Sequence, residues 1–222
     1  MSHSLHRYGT IEDLKNDFCI YSRAARGINR ENCGDKLRKI LSIYISEKIV
    51  NFGSSHSGRS FVAGLDPEEY AKTLDNSYGI IASFADRLAV LGVLKKMKTA
   101  DIGISVVVSG LIGEVTQIAK EAGLKPHTAT ISLGIYGKKE LLPEKQVLKM
   151  VTMCGHSLVG SQLVSSVSED IHRGLISKEE GAKILARPCT CGIFNTARCI
   201  ELMGERGQER KGAIKTMDEH LA

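Results

Sequence analysis

The sequence contains no tryptophan, and its aromatic fraction is only 5%. A β-sandwich organised around large aromatic side chains is therefore disfavoured. The hydrophobic fraction is nevertheless 42%, so the core of this 222-residue chain must be built from aliphatic side chains and methionine. A chain of this length can bury one large core or two small ones. Together these features favour a layered α/β architecture.

Long apolar runs are also missing. No run approaches the roughly 20 residues that span a bilayer, and the N-terminus lacks the basic and apolar regions of a secretory signal. We therefore predict a cytoplasmic protein with no membrane partner. Cysteines are few, six in all, and in a reducing compartment clustered cysteines bind metals more often than they form disulfides.

The charge excess is small. Thirty Lys and Arg residues against 25 Asp and Glu residues give a net charge of +5. The densest internal basic run, residues 94–98, falls at the end of a predicted helix, where lysines interact favourably with the helix dipole. Nucleic-acid binders instead concentrate basic residues on one face or in long runs. The charge pattern therefore argues against a nucleic-acid partner.

The first section, residues 1–99, is predicted to be mainly helical because start signals, stop signals and apolar spacing recur at helical intervals. Helices are predicted from Thr10 to Gly27, from Asp35 to Val50, over residues 65–75, and from Ser83 onward. Cys19 and Cys33 fall in this section, and we interpret both as small buried residues.

Residues 100–140 predict a βαβ core with a parallel or mixed sheet. Residues 101–110 form a β-branched run of strand length, and residues 111–123 have the spacing of an amphipathic helix. Residues 128–137 alternate apolar and smaller or polar side chains, which predicts a second strand. The strand, helix and strand in this order are typical of a βαβ unit, which we expect to form one domain with residues 1–99.

The last section, residues 141–204, is predicted to be an all-helical metal-binding module. Its helices are expected over residues 143–153, 157–174, 177–187 and 195–203. Ser177 followed by Glu180 has the capping-box pattern that begins a helix. The charged, glycine-rich residues 205–222 predict a mobile tail.

Four of the six cysteines lie in this module. Cys154 and His156 form a C-x-H motif, and Cys189 and Cys191 form a C-x-C motif one helical hairpin later. Two antiparallel helices of similar length bring the loops at their outer ends together, so the two motifs are expected to be neighbours. Three thiolates with one open or unusual ligand suit a [4Fe–4S] cluster, and His156 or Cys199 is the candidate fourth ligand.

Other interpretations of the cysteines remain open. Zinc binds the same ligand types, although its structural sites usually show paired C-x-x-C motifs that this chain lacks. A thiol redox or nucleophilic site and ordinary packing are the further alternatives.

The segments "MCGH" (residues 153–156) and "RPCTCGIFN" (residues 187–195) resemble the C-terminal segment of uncharacterised cysteine-motif proteins from anaerobic archaea and bacteria. The resemblance implies an anaerobic setting, which favours an iron–sulfur cluster over zinc. It implies no particular reaction.

A second candidate site is the loop "GSSHSGRS" (residues 53–60). His56, Ser57 and Arg59 lie in this Gly- and Ser-rich stretch, and backbone N–H groups with a guanidinium can bind a phosphate or carboxylate. The loop matches neither standard phosphate-binding spacing. We predict a small anionic substrate here, with a flexible linker as the alternative interpretation.

The sequence thus favours an iron–sulfur enzyme whose open cluster iron binds a small anionic substrate. Dehydration, sulfur transfer and a step of cofactor assembly are compatible reactions. The alternative is a non-catalytic structural or interaction protein in which zinc or a fully ligated cluster links the C-terminal helices. A homo-oligomer is compatible with either hypothesis.

Overall fold

The computed structural model describes residues 4–54 and 58–204. Five strands form one sheet in the spatial order β3-β2-β4-β1-β5. The strands are β1 (Phe18–Arg23), β2 (Asn51–Ser54), β3 (Arg59–Ser60), β4 (Gly79–Phe84) and β5 (Ser105–Ser109). The helices are α1 (Ile11–Leu14), α2 (Gly34–Ile45), α3 (Pro67–Thr73), α4 (Arg87–Ala100), α5 (Ile112–Glu121), α6 (Lys145–Val151), α7 (Ser161–His172), α8 (Lys178–Ala186) and α9 (196–204).

Every strand pair in this sheet is antiparallel, so the predicted parallel or mixed sheet is wrong. The connection from β1 through α2 to β2 skips β4, and the connection from β4 through α4 to β5 skips β1. Both connections are therefore split βαβ units, in which the strand between the connected pair runs in the opposite direction. The fold is mixed α/β, and its sheet is fully antiparallel.

The prediction that residues 1–99 are mainly helical is also wrong, because strands β1 to β4 lie in this section. Residues 10–27 hold only the short helix α1, followed by strand β1. The helix predicted from Ser83 onward is present as α4 but begins at Arg87, because Ser83 and Phe84 end the central strand β4. β1 and β4 are buried on both faces. Short runs buried on both sides lack the alternation that would distinguish a strand from a buried helix.

The second predicted strand, residues 128–137, is not a strand in the structure. All of these residues are exposed. β5 pairs with β1 on its inner side, and an alternating segment becomes a strand only where it finds a partner edge. The βαβ core predicted for residues 100–140 is therefore absent.

The sheet is the middle layer between two apolar clusters. On one face, Phe18 and Ile20 of β1 pack with residues of α2 and α4. On the other face, Cys19 of β1 and Ile81 of β4 pack with residues of the C-terminal helices. Adjacent residues of one strand point to opposite faces, so β1 contributes to both clusters.

The C-terminal helices α6, α7 and α8 fall inside their predicted ranges. Ser177 and Glu180 form the predicted capping box at the start of α8, with Glu180 N donating to Ser177 Oγ at 3.1 Å. No helix in the described ranges combines the length and apolarity needed to cross a bilayer. The predicted mobile tail, residues 205–222, lies outside the described residues.

Candidate functional site

The loop after α6 positions Cys154 and His156. A turn closes from Ser157 N to Cys154 O at 3.0 Å, and Ser157 has a left-handed backbone with a φ of 56°. The turn reverses the chain between α6 and α7. Cys154 is consequently buried, whereas His156 is exposed.

The loop after α8, residues 187–195, carries Cys189 and Cys191 and lies directly on the sheet. Gly192 N donates to Cys189 O at 3.1 Å. A Cβ at Gly53 of β2 would lie 2.2 Å from Thr190 O, and a Cβ at Gly192 would lie 2.0 Å from the Phe52 carbonyl carbon. Two glycines therefore allow backbone to pack on backbone at this position.

Side chains of the sheet also fix this loop. Asn51 Nδ2 donates to Phe194 O at 3.3 Å, and Ser83 Oγ donates to Gly192 O at 3.3 Å. Both sheet residues are fully buried. The loop that carries Cys189 and Cys191 is thus held by the central strands and not only by the helices beside it.

Three thiols and one imidazole meet between the two loops. Cys189 Sγ lies 3.8 Å from Cys191 Sγ, and Cys191 Sγ lies 3.6 Å from His156 Nδ1. Cys154 lies close enough to Cys189 for that thiol to be the largest influence on its pKa. The four side chains therefore lie in series from Cys154 through Cys189 and Cys191 to His156. All six cysteines of the chain are free thiols.

Hydrogen bonding sets the protonation of these thiols. A hydrogen bond from Cys189 lowers the pKa of Cys154 to about 5, and the backbone N–H groups of Leu158 and His156 contribute further. Cys189 likewise lowers the pKa of Cys191 to about 6, assisted by the N–H of Ile193. The same two bonds, together with burial, raise the pKa of Cys189. Hydrogen bonding to Cys189 therefore favours the thiolate forms of Cys154 and Cys191 and the thiol form of Cys189.

The structure does not bring Cys199 into this series. Cys199 lies on α9, fully buried in the C-terminal apolar cluster, and burial raises its pKa to about 12. Across residues 4–54 and 58–204, no group of three or more His, Cys, Asp and Glu side chains is arranged to hold a metal ion. The prediction of a metal-binding module is therefore corrected. The thiols of this module lie in series and not around a common centre.

The predicted anion site is only partly described. His56 and Ser57 lie outside the described residues. Arg59 lies on the short edge strand β3 and forms an ion pair with Glu69, with both side chains about half exposed. An exposed ion pair of this kind contributes little to stability.

Sequence reasoning missed a buried charge network beneath the thiol site. Asp17 is fully buried and pairs with Arg7 at 2.7 Å and Arg198 at 2.8 Å. Asn195 Nδ2 donates to Asp17 Oδ1 at 3.0 Å. Because Asn195 is the last residue of the loop that carries Cys189 and Cys191, the network links that loop to the N-terminal segment.

Cys19 is buried as predicted, and it also belongs to this network. Arg7 Nη2 donates to Cys19 Sγ at 2.9 Å, and the same guanidinium donates to Ile193 O. Burial raises the pKa of Cys19 to about 11. The strand alternation that places Cys19 on the C-terminal face was the only available signal, and it was hidden by the assignment of residues 10–27 to a helix.

Comparison with known proteins adds no relative to this description. No protein-family model matches the chain, and no curated protein and no solved structure gives a significant match.

Proposed function

We propose that Cys154, His156, Cys189 and Cys191 bind a single tetrahedral metal ion, zinc in the first instance, and that this ion locks the C-terminal helices onto the sheet. The protein is then a metal-stabilised structural or interaction protein. The observation that carries the proposal is the spacing of the ligand atoms.

The two distances match the edges of a tetrahedral zinc site. With Zn–S bonds of about 2.3 Å, two thiolate sulfurs on one zinc lie about 3.8 Å apart. With a Zn–N bond of about 2.1 Å, a sulfur and an imidazole nitrogen lie about 3.6 Å apart. Cys189 and Cys191 are 3.8 Å apart, and Cys191 and His156 Nδ1 are 3.6 Å apart.

Closing the site requires Cys154 and His156 to move toward Cys189 and Cys191. Cys189 is already close enough to influence the pKa of Cys154, and His156 is an exposed side chain on a turn. Turning these two ligands toward the midpoint of the series converts it into a tetrahedron, while Cys189 and Cys191 stay on a loop fixed by the sheet. Metal binding thereby supplies energy to the folded state, as in other structural zinc sites.

The ligand set supports a structural role. Four protein ligands leave no position for substrate, whereas catalytic zinc sites keep one open. The ion would join the loop after α6 to the loop after α8. It would therefore bridge the two outer ends of the α7–α8 hairpin.

The iron–sulfur enzyme is the rival hypothesis. In a [4Fe–4S] cluster each thiolate binds a different iron, so its thiolates lie farther apart than ligands of one ion. The short spacing of Cys189 and Cys191 favours a single ion over this cluster. Sulfide analysis separates the two hypotheses directly.

The test is metal and sulfide analysis of protein purified without oxygen and without added metal. We expect colourless protein with about one zinc per chain and no acid-labile sulfide. Brown protein with iron and sulfide in comparable amounts would replace this proposal with the iron–sulfur hypothesis. Metal-free protein with all thiols titratable would reject both.

Single-cysteine variants sharpen the result. Cys191→Ser is expected to remove the bound metal, because it deletes the ligand that contacts both a thiol and the imidazole. Cys199→Ser is the matched control, since Cys199 is a buried cysteine of the same module outside the series. Equal metal loss in the two variants would contradict the assigned ligand set.

A further inference from the structure

The connection from the end of β1 to α2 carries three arginines, Arg23, Arg26 and Arg30, all of them exposed. We call residues 23–33 the arginine loop. The ion-paired arginines in the described ranges are instead Arg7, Arg38, Arg59, Arg87 and Arg198. The three guanidinium groups of the arginine loop therefore have no carboxylate partner in the described chain.

The backbone of the arginine loop is held in place. Asn29 Oδ1 accepts a hydrogen bond from Ala25 N at 2.6 Å, and Asn29 Nδ2 donates to Gly103 O at 2.5 Å. Ala24 and Cys33, near the two ends of the loop, are buried in the apolar cluster that contains residues of α2 and α4. The loop is therefore fixed at both ends and in its middle.

Tyr78 orients two of the arginines. Arg30 Cζ lies 4.1 Å from the centroid of the Tyr78 ring, and Arg23 Cζ lies 4.9 Å from it. Stacking on a ring uses the face of a guanidinium group. The N–H groups at its edge stay free to bind an anion. Two like charges beside one ring also repel each other, and a bound anion would relieve that repulsion.

An open groove runs beside this loop. Arg26 and Arg30 line it together with Gly27 and Glu31, and its volume is about 600 Å³. Small-molecule sites commonly measure about 300–1,000 Å³. The groove can therefore hold a ligand larger than a single inorganic anion, with two guanidinium groups in its wall.

The charge of the arginine loop favours phosphate over carboxylate. Three guanidinium groups against the carboxylate of Glu31 leave a local formal charge of +2. A phosphate monoester carries about −1.5 to −2 at neutral pH and presents three acceptor oxygens. A carboxylate carries a single negative charge on two oxygens. The phosphate monoester is therefore the better match in charge and in hydrogen-bond acceptors.

We infer that the arginine loop binds the phosphate group of a small soluble phosphate monoester, with Arg26 and Arg30 donating to the phosphate oxygens. Arginine commonly binds phosphate through two parallel N–H···O bonds. Arg23 adds positive charge from the second guanidinium group on Tyr78. This site is separate from the thiol site, because the buried residues of the arginine loop and those of the thiol loops lie in clusters on opposite faces of the sheet.

The test is an NMR titration of the ¹⁵N-labelled full chain, followed on the arginine Nε–Hε signals at neutral pH and low salt, because salt screens exposed charges. AMP, a soluble phosphate monoester, is expected to shift the signals of Arg26 and Arg30 to saturation, and inorganic phosphate should compete with it. Adenosine, which lacks the phosphate, should leave the signals unchanged. Equal shifts with AMP and adenosine, or none with AMP, would overturn the inference.

A lipid headgroup could supply the same chemistry, so a second arm uses vesicles of phosphatidylcholine with and without phosphatidic acid, whose headgroup is a phosphate monoester. We expect no cosedimentation of the chain with either vesicle. Cosedimentation with the phosphatidic acid vesicles in the absence of AMP binding would assign the site to a membrane surface and reject the soluble ligand.

Variants separate a built site from the net charge of the chain. Arg26→Gln and Arg30→Gln should each raise the dissociation constant of AMP by about tenfold or more, and Arg30→Lys by less than Arg30→Gln, since lysine keeps the charge but not the planar fork. Arg173→Gln, at the exposed C-cap of α7, removes the same charge and should leave the dissociation constant unchanged. Equal weakening in Arg26→Gln and Arg173→Gln would overturn the site. Bound metal should stay at the wild-type level in all four variants, so this result is independent of the metal proposal.

Discussion

Asp17→Asn is expected to destabilise the protein by about 3–5 kcal/mol, because removing one partner of a buried ion pair leaves the opposite charge without compensation. Here two arginines lose their partner at once, since Asp17 pairs with both Arg7 and Arg198. Neither arginine has room to reach water: their side chains are 7% and 2% exposed. Their Nε atoms already lack a hydrogen-bond partner among the described residues.

Urea denaturation of Asp17→Asn and Asp35→Asn measures the effect. Asp35 also pairs with an arginine, Arg38, at 2.8 Å, but its side chain is 92% exposed. We expect Asp35→Asn to cost less than about 1 kcal/mol, as surface pairs do. Similar losses of unfolding free energy in the two variants would show that the ion pairs of Asp17 contribute no more than a surface pair.

Gly192→Ala is expected to dislodge the loop that carries Cys189 and Cys191 and to cost roughly 3 kcal/mol or more. A left-handed backbone disfavours alanine by about 1–2 kcal/mol, and overpacking typically adds about 1–3 kcal/mol. Gly192 has a φ of 74°, and its new Cβ would lie 2.0 Å from a backbone carbon of Phe52. Backbone atoms of a central strand cannot move aside as a flexible side chain can.

Gly27→Ala separates the two contributions. Gly27 has the same φ of 74° but no atom within 4 Å of the new Cβ. The gain from a less flexible unfolded chain is similar in both variants, so their difference in free energy of unfolding isolates the clash. We also expect Gly192→Ala to lose bound metal and Gly27→Ala to retain it. Equal unfolding free energies would mean that the loop can lift from the sheet without penalty.

The helices of the C-terminal section could be predicted because each has a local signal. The capping box of Ser177 and Glu180 is encoded within four adjacent positions, and the apolar side of α7 recurs at helical spacing. β1 and β4 have no such signal. Their residues are apolar on both faces because a cluster lies on each side of the sheet, and that arrangement depends on residues far away in sequence.

The candidate site likewise has parts that local sequence patterns predict and parts that depend on distant residues. The proximity of Cys154 and Cys189 could be predicted, because it follows from the similar lengths of two antiparallel helices and from the positions of their loops. Which of His156 and Cys199 lies near the three thiols depends on side-chain positions: the structure puts His156 beside Cys191 and leaves Cys199 in the core. The network around Asp17 joins residues at both ends of the chain, and no local pattern in the sequence indicates it.

The position of the sheet between two clusters has a consequence for synthesis on the ribosome. All five strands have been synthesised once Ser109 has been added, but the face that carries Cys19 and Ile81 is covered only after residues 145–204 have followed. Chains fold domain by domain from the N-terminus, and transiently exposed apolar surface promotes aggregation. The nascent chain therefore passes through a stage with one bare sheet face, and chaperone binding is expected to be strongest at that stage.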